Sequence, residues 1–187
     1  MIVDRFLFCG RTPGVRPFIS SSYRIDSYLN LDESLGRNDN SGMSDSKLQQ
    51  LNGLLADYSV FYQKLRIFHW TVKGPMFFQL HVKFEEMYNS TALSVDEIAE
   101  RIVGLGGRPL GRMSELLAAA SLQEDTGTTE PSAMVQALVA DQRKLVASMR
   151  KASADAAEGK DMLTANLLEG MADADEKSAW MLEAYLG

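Results

Sequence analysis

The sequence is poor in cysteine, histidine and proline, with one, two and five copies among its 187 residues. A single thiol, Cys9, can form neither an internal disulfide nor a zinc-thiolate cluster. This excludes disulfide-rich folds and favours a reducing, cytoplasmic setting. No run approaches the roughly 20 apolar residues of a membrane span, so we predict no membrane partner. The remaining composition, 45% hydrophobic and 24% charged, is typical of one globular domain.

Basic charge is also scarce. The chain has 19 Lys and Arg against 25 Asp and Glu, a net charge of −6, which disfavours attraction to nucleic acid or anionic lipid. The first forty-odd residues carry equal numbers of Arg and acidic residues, so the net negative charge lies on the rest. Glycine, proline and serine interrupt this first stretch, which has no helical pattern. We therefore predict a disordered arm or upstream extension over residues 1–43 and a folded domain over 44–187.

Helical patterns dominate from Ser46 onward. A capping box of Ser46 and Gln49 predicts the start of the first helix, and Gly74-Pro75 predicts its end. Further apolar stripes predict long helices over about 77–105, 131–158 and 161–186, with a short helix over 114–120. Four long amphipathic helices with one extended crossover predict an all-α four-helix bundle, with the short extra helix in the crossover between helices 2 and 3.

Both histidines flank the turn between the first two helices, and acidic residues share a face of the second. At 100° per residue, one sector of about 100° contains His81, Glu85, Asp96 and Glu100. His81 and Glu100 are nevertheless roughly 28 Å apart along the axis, so one subunit cannot gather all of them on one ion.

A two-fold axis would solve this distance problem. If two copies of the second helix packed antiparallel about an axis near Ser90 and Thr91, the histidine end of one would face the carboxylate end of the other. His69 would join the histidine side, giving two identical sites per dimer. The plainer alternative is a hydrogen-bonded core histidine and a solvated acidic face.

Mixed imidazole and carboxylate ligands favour Fe, Mn or Zn over Ca, Mg or Cu(I), and iron is our prediction. Carboxylates bind both oxidation states of iron and favour the ferric ion through their charge. The Glu-x-x-His signature of an intrasubunit di-iron centre is absent, because neither histidine has a glutamate three residues before it. We therefore predict an intersubunit centre rather than one inside the bundle.

The motifs around these residues resemble the Dps family, or miniferritins. The likeness runs through FHWTVKGP at 68–75, LHVKFE at 80–85, DEIAER at 96–101 and LGG at 105–107, and it covers about residues 46–186. The resemblance implies a ferritin-like four-helix bundle and a dodecameric shell that oxidises Fe(II), preferably with hydrogen peroxide rather than dioxygen, and stores ferric mineral. It also implies two irons per intersubunit ferroxidase centre.

The resemblance implies a role for each candidate residue. His69, His81 and Glu85 would bind iron from one subunit, and Asp96 and Glu100 would bind it from the partner. Trp70 would lie beside the centre as a sink for oxidising equivalents, with burial as a core aromatic the equal alternative.

Two features depart from the family pattern. Glu85 stands where the family more often has Asp, which lengthens the proposed ligand by one methylene. The arm lacks the basic excess of members that coat DNA, so we predict weak or absent DNA binding. Two alternatives stay open: a nucleoid-associated, DNA-condensing protein with a vestigial centre, and a bundle that only mediates subunit contacts.

Overall fold

The computed structural model describes residues 41–187, and within them every regular element is a helix. The helices are α1 (Ser41–Thr71), α2 (Phe77–Gly104), α3 (Met113–Ala119), α4 (Pro131–Glu158) and α5 (Met162–Leu186). Short turns join α1 to α2 and α4 to α5, and each of these pairs packs together. The long connection between the two hairpins contains α3. The predicted four-helix bundle with a short helix in its crossover is confirmed.

The helix ends follow the turn chemistry of the sequence, with one exception. At the end of α2, the amides of Gly106 and Gly107 donate to the carbonyls of Val103 and Ile102 at 2.9 Å each, a Schellman motif in which Gly106 has φ +77°. At the start of α5, Asp161 accepts from the Thr164 amide. The predicted capping box is wrong, because α1 begins at Ser41 and Ser46 lies inside it.

The start of α1 differs because no proline separates Ser41 from the predicted start, so the helix extends by about one turn. The rest of the predicted arm lies outside the described residues. The division of the chain at residue 43 stays a prediction.

The core lies between α1, α2, α4 and α5. The predicted stripe of α1 faces it, with Leu51, Leu55, Tyr58 and Leu65 exposed by 2% or less. Polar groups anchor the crossover to the same helix. The buried Asp57 carboxylate accepts from the Ser121 amide at 2.6 Å, the Ser121 hydroxyl at 2.8 Å and the Leu122 amide at 2.9 Å. The crossover is therefore fixed to α1. One face of α2, which carries the exposed side chains of Phe78, Val82 and Leu93, is left uncovered.

Candidate metal centre

The turn between α1 and α2 brings the two histidines into contact. Gly74 has φ +103°, a backbone conformation that residues with a Cβ rarely adopt. Its carbonyl accepts a hydrogen bond from the Phe77 amide at 3.0 Å. His69 near the end of α1 and His81 early in α2 stack with ring centroids 3.8 Å apart and planes 20° apart. Phe77 also stacks on His81, at 4.9 Å. The pair is thus a rigid, half-buried unit.

Each histidine is oriented by the backbone of the other. His69 Nδ1 donates to the His81 carbonyl at 2.8 Å, and His81 Nδ1 donates to the His69 carbonyl at 2.8 Å. A carbonyl oxygen can only accept, so both Nδ1 atoms carry a proton. In the neutral ring Nε2 then keeps its lone pair, which is the form in which imidazole binds a metal. The backbone carbonyls fill the orienting role that outer-shell partners have in metal sites.

Glu85 is connected to this pair through Tyr88. The Tyr88 hydroxyl donates to Glu85 Oε1 at 3.3 Å, and its ring meets the His69 ring edge to face with centroids 5.4 Å apart. Partial burial and the nearby Glu85 carboxylate both raise the pKa of the Tyr88 phenol. The phenol therefore keeps its proton at neutral pH.

Tyr88 is not among the predicted site residues, which are two histidines, three acidic residues and Trp70. The spacing of Tyr88 from the predicted ligands in the sequence does indicate that it belongs to the site. Tyr88 lies three residues after Glu85 and seven after His81, so it shares the edge of their helical face.

The remaining acids lie far from the histidines. Asp96 and Glu100 are exposed near the other end of α2. Within residues 45–187, no three His, Cys, Asp or Glu side chains are close enough together to hold one ion. The structure therefore brings His69 and His81 together and leaves Asp96 and Glu100 apart from them, as the helical distance predicts.

The acids of α2 share their face with uncovered apolar side chains. Phe78, Val82 and Leu93 are 77%, 51% and 67% exposed. By helical periodicity Phe78 and Val82 fall in the sector of Glu85, Asp96 and Glu100, and Leu93 lies about 20° beside it. The level of the two-fold axis along α2, near Ser90 and Thr91, stays a prediction. Thr91 is buried within its own subunit, where its hydroxyl donates to the Met87 carbonyl at 2.8 Å. It lies on the core side of α2 and cannot line a contact across the exposed face.

Trp70 does not lie in the subunit core. It is 58% exposed, and the Arg66 guanidinium lies 4.8 Å from its ring centroid and 5.4 Å from that of Tyr62. The interpretation of Trp70 as a core aromatic is therefore wrong for the single subunit. At the last turn of α1 the indole points away from the bundle, because the stripe that faces the core passes through Phe68 and Val72 instead.

Known proteins share both the sequence and the fold. The chain matches the ferritin-like domain family over residues 48–187. It is 42% identical to the DNA protection during starvation protein 2 of Bacillus anthracis over 144 residues, covering 77% of this chain and 99% of that protein. A Dps protein structure from Bacillus brevis matches with a TM-score of 0.77 and 38% identity, covering 79% and 99% of the two chains.

A Dps structure from Vibrio cholerae O1 is described as a member of a broad superfamily of ferritin-like diiron-carboxylate proteins. It matches with a TM-score of 0.76 and 38% identity, covering 78% of this chain and 92% of that one. None of the helices in residues 41–187 has the length and hydrophobicity needed to cross a bilayer.

Proposed function

Because the chain belongs to the Dps family of ferritin-like proteins, we propose that it oxidises Fe(II) at centres shared between two-fold-related subunits. Hydrogen peroxide is the preferred oxidant over dioxygen, and ferric mineral is stored inside a dodecameric shell in the cytoplasm. Consumption of Fe(II) and peroxide together removes both reactants of hydroxyl-radical formation. This is the protective role of the miniferritin.

The observation that carries the proposal is the paired orientation of the histidines. Both Nδ1 protons are committed to backbone carbonyls, so both Nε2 lone pairs are available for iron. Removal of either ring would leave the backbone carbonyl that accepts its Nδ1 proton without that donor.

The carboxylates supply the negative charge. Glu85 from the histidine side and Asp96 and Glu100 from the partner subunit complete a mixed nitrogen and oxygen ligand set, which suits iron. When bound, the two irons supply two electrons for the reduction of one peroxide. The carboxylates stabilise the ferric product because three negative charges favour the more highly charged ion.

The uncovered face of α2 supports the shared centre. Phe78, Val82 and Leu93 expose apolar surface beside the same acids. Antiparallel contact of two such helices would bury this surface and join a histidine half to a carboxylate half. The interface and the centre are therefore formed by one packing event.

Anaerobic iron loading followed by a single peroxide addition tests the proposal. Fe(II) consumed per peroxide is measured, and size-exclusion chromatography shows whether ferric iron elutes with an assembly of about twelve subunits, as tetrahedral closure requires. Two Fe(II) per peroxide with retained ferric iron is the expected result. Oxidation no faster than that of free iron, in an intact shell, would contradict it and favour the alternative of a DNA-condensing protein with a vestigial centre.

A further inference from the structure

Tyr88 contacts both kinds of residue that the proposed centre contains. Its ring packs edge to face on His69 at 5.4 Å, and its hydroxyl donates to Glu85 Oε1 at 3.3 Å. One phenol is therefore in contact with a proposed nitrogen ligand and a proposed oxygen ligand of the same iron centre. No other tyrosine in the described part of the chain has both contacts.

A phenol loses an electron most easily when its proton can leave at the same time. Glu85 provides the acceptor, because its carboxylate already holds the Tyr88 proton in a hydrogen bond. The other described tyrosine that donates to a carboxylate is Tyr58, bonded to Asp175 at 2.6 Å. Tyr58 is buried, 1% exposed, and lies three turns of α1 before His69.

The neighbouring aromatic rings are less suited to oxidation. Tyr62 packs edge to face on Tyr88 with centroids 6.1 Å apart, and the Arg66 guanidinium lies over the rings of both Tyr62 and Trp70. A cation over a ring stabilises the neutral ring and opposes loss of an electron from it. An oxidised side chain at this end of the bundle is therefore favoured at Tyr88.

We propose that Tyr88 is a one-electron donor to the iron centre and that the Glu85 carboxylate accepts its proton. This inference rests on the proposed function. Tyr88 acts when a centre holds a single Fe(II), so that iron supplies only one of the two electrons that peroxide needs.

In this step, one Fe(II) and one Tyr88 phenol each give one electron to one hydrogen peroxide molecule. The O–O bond breaks, and the products are Fe(III), a neutral Tyr88 radical, one hydroxide ion and one water molecule. The phenolic proton passes through Glu85 to form that water. Tyr88 thus prevents release of a hydroxyl radical from a half-filled centre.

The length of Glu85 matters for this role. Glu85 and Tyr88 are three residues apart on α2, a spacing at which side chains meet. An aspartate would keep the carboxylate but shorten it by one methylene, so its oxygen would retreat from the Tyr88 hydroxyl. The glutamate at this position, where the family more often has aspartate, is therefore what gives Tyr88 a proton acceptor in the centre.

Freeze-quench electron paramagnetic resonance tests the inference on intact shells loaded with one Fe(II) per centre and given one peroxide addition. The wild-type protein should form a tyrosyl radical, identified by the change in its hyperfine pattern when the protein contains deuterated tyrosine. Tyr88→Phe should abolish the signal, and Glu85→Asp should reduce it. Tyr62→Phe, which removes the hydroxyl of the adjacent ring, is the matched control and should keep the wild-type signal.

Each outcome has a separate meaning. A tyrosyl signal that survives in Tyr88→Phe would overturn the inference and direct attention to Tyr58. A tryptophanyl signal lost in Trp70→Phe would overturn it in favour of the indole. Rapid Fe(II) oxidation without any radical would overturn the inference and leave the proposed function standing. No rapid oxidation in the wild-type shell would overturn both. Shell size and helix content of every variant show whether a lost signal reflects misfolding.

Discussion

Lys64 on α1 and Asp141 on α4 form an ion pair at 2.5 Å in the bundle interior. The two side chains are only 8% and 7% exposed, so loss of one partner leaves the other charge buried. We expect Lys64→Met to lower the free energy of unfolding by about 3–5 kcal/mol. The double variant Lys64→Met with Asp141→Leu should recover most of this loss. Chemical unfolding measures both, and a loss below about 1 kcal/mol in the single variant would indicate a solvated pair.

Replacement of His69 or His81 by Ala should remove fast Fe(II) oxidation. Each change deletes the Nε2 atom proposed to bind iron. It also deletes the Nδ1 hydrogen bond from that ring to the backbone of the neighbouring helix. Loss of an outer-shell partner alone costs about 10–100-fold in affinity or activity at metal sites, so loss of a ligand should cost at least that much. Stopped-flow absorbance of the ferric product measures the rate. Thr71→Ala, an exposed change two residues after His69, should keep the wild-type rate.

Mixed shells distinguish a shared centre from one within a subunit. A His81→Ala subunit and an Asp96→Asn, Glu100→Gln subunit should each form inactive shells. When the two are unfolded together and reassembled, a mixed dimer contains one intact centre and one that lacks both halves. Random pairing therefore restores about one quarter of the wild-type centres. No recovery in correctly sized mixed shells would contradict the intersubunit arrangement.

Stability at acidic pH should depend on Asp161. Burial raises the pKa of this carboxyl, but hydrogen bonds from Lys47 and Thr164 and the charge of Arg101 lower it more, so the pKa lies well below its usual range. A depressed native pKa stabilises the fold above the unfolded value, about 4, and the contribution declines as pH falls further.

Asp161→Asn tests this dependence because Asn also caps helices well, so the change removes mainly the charge. We expect a loss of about 1.5–3 kcal/mol at neutral pH, the range for hydrogen bonds to charged groups. Thermal unfolding across the acidic range should show the two proteins converge below the ordinary aspartate pKa. A difference that stays constant down to strong acid would rule out the charge as its source.

DNA binding should be weak or absent at physiological salt. The chain has a net charge of −6, and most affinity for DNA comes from Lys and Arg contacts to phosphate. A gel-shift titration at physiological and at low salt measures it. Tight, length-dependent retention at physiological salt would contradict this expectation and support the nucleoid-associated alternative.

The fold was accessible from the sequence because helix ends carry chemical signals. Gly74-Pro75 correctly predicts the end of α1, and the predicted bounds of the other four helices agree with the structure to within about one residue. Ser46 was a misleading signal because a serine that can cap a helix can also lie inside one, and no proline stands between Ser41 and Ser46 to end the helix there.

The candidate site was predictable only in part. The spacing of His69 and His81 indicated one end of the bundle, but their reciprocal hydrogen bonds depend on the exact backbone of the turn, which residue spacing does not determine. The exposure of Trp70 depends on which side of α1 the core occupies in its last turn. Tyr88 was missed because its importance comes from contacts to His69 and Glu85 rather than from its own chemistry.

The contact between His69 and His81 spans only twelve residues of chain. Two helices joined by a short turn lose little loop entropy when they pair, so such contacts form early in folding. In the proposed arrangement, the half of the centre that contains His69, His81 and Glu85 is thus present in a newly folded chain, whereas Asp96 and Glu100 arrive only with a second chain. Iron oxidation then depends on assembly. A lone subunit has no complete centre, so oxidation begins only when subunits associate into the shell that stores the ferric product.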